Sequence, residues 1–114
     1  MQLTGKLVLG ESNMLFLQIS KHSPESCPMH NEGAKKANMN LSVKMEQILR
    51  KYGIKMVGGW VAIPEHMNVV VFDAPSIEAL VKAAMEPEMM AWIGYNKNQL
   101  MPVMSLEESM KLMK

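Results

Sequence analysis

An α+β domain built in the order β-α-β-β-α-β is expected of this 114-residue chain, on three grounds. The stretch Gly53 to Pro75 reads as two β-rich runs, Ile54 to Ile63 and Met67 to Phe72, folded back on each other at Pro64-Glu65-His66. Valine, isoleucine and aromatic residues dominate both runs, and Gly or Pro bounds them. Before this hairpin come a strand, a loop and a helix; after it come a helix and then a strand. Two right-handed crossovers split around a central hairpin give the ferredoxin-like arrangement, an antiparallel sheet with its helices on one face.

Each element has its own signal. Leu3 to Leu9 suits a short leading strand added to the core, because Leu7, Val8 and Leu9 sit between Gly5 and Gly10. Met14 to Ser20, MLFLQIS, is nearly all apolar, as a central strand would be. Lys21 to Asn31, with two prolines and two serines, is a loop. Asn31 is placed to cap a helix with Glu32 in its first turn, and Leu41, Met45, Ile48, Leu49 and Tyr52 form its apolar stripe. Gly53 ends that helix. Asp73-Ala-Pro-Ser76 closes the hairpin and offers caps for a second helix carrying Ile77, Leu80, Val81, Ala84 and Met85. Pro87 cannot continue that helix but suits the first turn of a short third one, Glu88 to Ile93. Gly94 to Asn98 reads as a turn, Gln99 to Met104 as a last strand at an edge or bulge because of Pro102, and Ser105-Leu-Glu-Glu108 as the capping box of a tail helix.

The chain suits one domain, residues 1–114, with a core at about 14–104 and a tail helix at about 106–113. Twelve basic and eleven acidic residues leave a net charge of +1, which gives no field to gather nucleic acid or an anionic membrane. The opening MQLTGKLVLGESN holds too short an apolar run for a secretory signal, and no stretch approaches the roughly 20 apolar residues of a membrane span. A single cysteine excludes an internal disulfide. A cytoplasmic protein is therefore expected. Fourteen methionines against six aromatic residues leave much of the core-filling to thioethers. Their spacings match ordinary helix or strand faces, although soft-metal ligation is the other use of such a side chain.

The helices leave one sheet face bare, with Met56 or Val57 and Trp60 as its apolar residues in the hairpin. Pairing two such faces in a C2 homodimer covers them.

The run Lys55 to Glu108, KMVGGWVAIPEHMNVVVFDAPSIEALVKAAMEPEMMAWIGYNKNQLMPVMSLEE, resembles the small dimeric α/β-barrel families. In particular it is similar to GYD-domain proteins and a neighbouring family of unknown function. There, a strand with a Gly-x-Trp or Gly-x-Tyr step precedes a strand ending in DAP or DDP, a helix and a last strand with PV; here these are Gly58 to Trp60, Asp73 to Pro75 and Pro102-Val103. The resemblance spans roughly residues 14 to 108 and implies the fold and a dimer. The superfamily includes cofactor-independent monooxygenases, haem-handling enzymes, isomerases and binding proteins, with no catalytic set to carry across by position. The loop with Cys27 and His30 and the short helix after Pro87 depart from the plainest GYD pattern.

In this topology the loop after the first core strand, the hairpin turn and the connection into the last strand meet at one end of the sheet. That end collects His22, Cys27, His30 and His66, with Tyr95, Asn96 and Lys97 approaching. Imidazole and thiolate suit Zn, Cu or Fe, and three ligands would leave a position open for water or a small ligand. Without metal, Trp60, Phe72, Trp92 and Tyr95 would wall a small-molecule pocket, with His30, His66 or Asp73 as proton acceptor. For Trp60 and Trp92 core packing is the commoner use, for Asp73 helix capping is more so, and Cys27 is a nucleophile only if a neighbour lowers its pKa. The reading reached is a homodimer binding a small ligand at this rim, with a transition metal as candidate cofactor. A cofactor-independent oxygenase or isomerase, and a regulatory protein docking through its methionines, are the alternatives; whether it is an enzyme stays open.

Overall fold

Residues 13–114 are described by the computed structural model, so the leading strand expected at Leu3 to Leu9 lies outside the described residues. Strands β1 (Met14–Lys21), β2 (Lys55–Ala62), β3 (Met67–Ala74) and β4 (Lys97–Val103) form one sheet in the order β2-β3-β1-β4, and every pairing is antiparallel. The described residues also form helices α1 (Glu32–Lys51), α2 (Ile77–Ala84), α3 (Pro87–Ile93) and α4 (Leu106–Leu112). This is the ferredoxin-like α+β arrangement expected from the element order. β3 runs past Phe72 to Ala74, and β4 begins at Lys97 within the expected turn. Both extensions are held by β1, which pairs Leu15 with Asp73 and Lys21 with Lys97.

The helix ends follow local chemistry. Asn31 accepts the Ala34 N–H at 2.9 Å, and α1 closes onto Gly53, whose φ of +70° is cheap for glycine. Ser76 caps α2 through the Ala79 N–H, and Ser105 caps α4 through the Glu108 N–H. Asp73 caps nothing. It is buried in β3 and accepts a hydrogen bond from Asn13 Nδ2 at 2.7 Å.

The core lies between the sheet and α1 to α3. Phe16 and Phe72 are cross-strand partners, each almost fully buried, and they meet Leu41, Ile48 and Leu49 of α1, Leu80 and Ala83 of α2 and Met89 of α3. Burying each large side chain there contributes about 1.5–3 kcal/mol. Phe16 and Phe72 fix the helix side of the sheet, so Leu15, Leu17, Ile19, Val69 and Val71 point to the other side, which none of the described helices covers. α4 leaves Leu106, Met110 and Met113 exposed.

A bulge at Val57 sets the parity of β2. Met56 pairs with Phe72, but Gly58 pairs with Val71 and Trp60 with Val69, so the bulge turns Trp60 onto the uncovered face. Its indole lies over Gly58, where a Cβ would collide with the ring.

Candidate functional site

The site is built where two turns are tied together. Ile63–Glu65 forms one turn of 3₁₀ helix, and His66 ends it with φ 51° and ψ 49°, a left-handed conformation that histidine tolerates better than most residues. The His66 carbonyl then accepts the His22 backbone N–H at 3.0 Å, which locks the loop after β1 to the hairpin turn. The two imidazoles meet edge to face, with centroids 5.2 Å apart and planes at 78°.

A second turn delivers the thiol. The Cys27 carbonyl accepts the N–H groups of both His30 and Asn31, closing Cys27 to Asn31 into a turn immediately before α1. Cys27 is thereby turned inward and buried. One ring nitrogen of His22, one of His66 and the Cys27 sulfur lie within 4.8 Å of one another. His22 Nε2 is buried and has no hydrogen-bond partner among the described residues. The same turn that brings Cys27 in leaves His30 exposed and outside the cluster, so three of the four expected ligand residues converge and His30 does not.

Beside this cluster opens a cavity of about 310 Å³. Pro28, Met29, Val61, Ile63 and Trp92 give it apolar walls, while Asn38, Asn68, Asn96 and Tyr95 bring polar groups. Ala34 and Asn38, one helical turn apart, present the start of α1 to it. Among the described residues no carboxylate, lysine or arginine lines it.

Of the expected wall residues, Trp92 and Tyr95 line this cavity and Phe72 does not, being buried in the core. Trp60 belongs to the uncovered face, at the edge of a neighbouring groove. Tyr95 closes over the first turn of α1, its hydroxyl occupying the space that a Cβ on Gly33 would need. Asp73 is at the other end of β3, paired with Leu15 at the start of β1, and is no proton acceptor for this cavity. Met29, Asn38, Val61, Ile63 and Asn68 also line the cavity, and no motif in the sequence marks them. Position relative to the turns is the signal that could have found them: Asn68 follows His66 in β3, and Met29 follows Cys27.

Residues 14–114 match the family described as Domain of unknown function (DUF3303). The chain belongs to the DUF3303 family. Among solved structures, this DUF3303 chain is similar to a candidate antibiotic biosynthesis monooxygenase from Bacteroides thetaiotaomicron, 14% identical with a TM-score of 0.58, the match covering 84% of this chain and 91% of the other. It is also similar to an uncharacterized NIPSNAP-like domain protein from Burkholderia xenovorans, at 14% identity and a TM-score of 0.48 over 85% and 90% of the two chains. A NIPSNAP family protein of unknown function from Agrobacterium tumefaciens gives 13%, 0.46, 88% and 96%. At such identity the likeness to the Bacteroides protein shows the ferredoxin-like fold alone. Comparison with curated proteins gives no match. Among the described residues no helix is long and apolar enough to cross a membrane.

Proposed function

We propose that His22, Cys27 and His66 hold a transition metal and that the adjoining cavity presents a small, uncharged molecule to it. The observation that carries this reading is His22 Nε2, buried without a partner among the described residues, beside a buried thiol and a second imidazole. A buried polar atom left unpaired costs about 1–3 kcal/mol, a cost that a bound ion or ligand atom removes. Two imidazoles and a thiolate are borderline-to-soft donors suited to Zn, Cu or Fe, and three protein ligands leave a coordination position facing the cavity. The uncharged walls favour a ligand that is mostly apolar, oriented by the Asn38, Asn68 and Asn96 amides.

Metal analysis of untagged protein, purified without chelator and then reconstituted, tests this. Near-stoichiometric metal is expected in the wild type and in His30→Ala, with loss in His22→Ala, Cys27→Ala and His66→Ala. A wild type that takes up no metal sinks the reading and leaves a metal-free pocket, of the kind a cofactor-independent oxygenase or isomerase would use, or a docking protein.

The working unit in this proposal is a cytoplasmic homodimer. The uncovered face supports it, with Leu15, Leu17, Ile19, Val69 and Val71 presented together and Trp60 and Met101 beside them. The DAP and PV steps support kinship with the GYD-domain proteins.

A further inference from the structure

We infer that the ion this site takes is copper(I), with the Met29 thioether as its fourth ligand; this rests on the metal reading of His22, Cys27 and His66. The first argument is charge. On binding, Cys27 loses its thiol proton to solvent and coordinates as a thiolate, while the two histidines coordinate as neutral imidazoles. One negative charge then faces the ion. A monovalent ion gives a neutral centre, whereas a divalent ion leaves a full positive charge in a cavity to whose walls the described residues bring no carboxylate. Burying an unbalanced charge costs several kcal/mol even after relaxation, so charge favours a monovalent ion at this donor set.

The second argument is softness. Thiolate and thioether donors select copper(I), and a two-histidine, one-cysteine set completed by a weakly bound methionine is a recognised copper geometry. Met29 stands in the same Cys27 to His30 turn, lines the same cavity and is 82% exposed, and its flexible thioether is the weak ligand that takes the open position until the cavity's molecule displaces it. An exposed methionine contributes little to the fold, which makes its replacement a clean test.

Wild-type protein, Met29→Leu and Cys27→Ser are titrated anaerobically, under reductant, against chromophoric chelators of copper(I) and of zinc(II), and X-ray absorption at the copper edge counts sulfur ligands. Wild type is expected to bind one copper(I) per chain with two sulfur ligands. Met29→Leu is expected to keep one sulfur and weaken copper(I) by at least the roughly tenfold that loss of even an outer-shell partner costs, with zinc(II) affinity unchanged. Cys27→Ser is expected to lose copper(I) binding. Zinc(II) held while copper(I) is not overturns the inference and leaves the metal site standing. Copper(I) held with one sulfur, and equally by Met29→Leu, overturns the role of Met29. Failure of both ions to bind overturns the inference together with the reading beneath it.

Discussion

The Tyr95 hydroxyl occupies the space above Gly33 that any other residue would fill with its Cβ. Gly33 stands in the first turn of α1, where alanine would normally stabilise the helix by roughly 0.5–1 kcal/mol. Here the added methyl must displace the tyrosine, and forcing extra volume into a packed contact costs about 1–3 kcal/mol. Gly33→Ala is therefore expected to lower stability by about 1 kcal/mol, read from urea unfolding midpoints. In a Tyr95→Ala background the sign should reverse and Gly33→Ala should stabilise, a coupling that a double-mutant cycle isolates. Equal effects in both backgrounds would mean that Tyr95 does not rest on Gly33.

Phe72 separates core from pocket. As the cross-strand partner of Phe16, 4% exposed, it predicts a loss of about 3–5 kcal/mol for Phe72→Ala, a large share of the roughly 5–15 kcal/mol that holds a domain together. Trp92→Ala, at the half-buried cavity wall, should cost less while changing the cavity itself. A Phe72→Ala protein that unfolds at the wild-type urea concentration would remove Phe72 from the core.

These two aromatics also show what was legible in the sequence and what was not. The strands and helices could be read because Gly53, Pro75, Pro87 and the Asn31, Ser76 and Ser105 caps act through local backbone chemistry. The convergence of His22, Cys27 and His66 followed from topology alone, since element order decides which loops share an end of the sheet. The direction of individual side chains did not follow. One unpaired residue at Val57 reverses the alternation of β2, putting Met56 toward the helices and Trp60 away from them, and apolar patterning shows no sign of it. His30 likewise left the cluster because two hydrogen bonds to one carbonyl fix the turn that follows Cys27. The chemistry of Phe72 suits a pocket wall as well as a core, and only pairing with Phe16 distinguishes the two.

A polar tie at the opposite end of α1 gives a pH dependence with a definite sign. Glu86, at the start of α3, accepts the Tyr52 hydroxyl at 2.5 Å and the Lys51 ammonium at 3.1 Å. The Tyr52 hydrogen bond, then that of Lys51, holds the Glu86 carboxyl below its ordinary value of 4.5. Hydrogen bonding to Glu86 raises both Lys51 and Tyr52 above their ordinary values of 10.5 and 10.0. The stabilisation from Glu86 is thus complete above its unfolded pKa and fades as pH falls through the lowered one. That from Tyr52 and Lys51 is complete below their unfolded values and fades as pH rises through the raised ones. The urea midpoint of wild type minus that of Glu86→Gln should accordingly be greatest near neutrality and shrink toward both extremes. A difference that stays constant from acid to alkali would show that the tie contributes nothing through its charges.

The uncovered sheet face carries the last prediction. Leu17 and Val71 are cross-strand partners on the central strands β1 and β3, so they stand in the middle of that face. In the proposed homodimer Val71→Lys would place an unpaired ammonium at the centre of the contact, where the penalty of several kcal/mol per buried ion is far larger than anything a rim charge would incur. A penalty of about 3 kcal/mol weakens dimerisation more than a hundredfold. Sedimentation equilibrium should find wild type dimeric and Val71→Lys monomeric at the same micromolar concentration, with unchanged far-ultraviolet circular dichroism showing that the protomer still folds. Leu106→Lys is the control. It stands on α4, 85% exposed and away from the sheet core, and should remain dimeric if the sheet face alone is the contact. Loss of the dimer in Leu106→Lys but not in Val71→Lys would move the interface to the tail helix, and a wild type that is monomeric throughout would end the homodimer proposal.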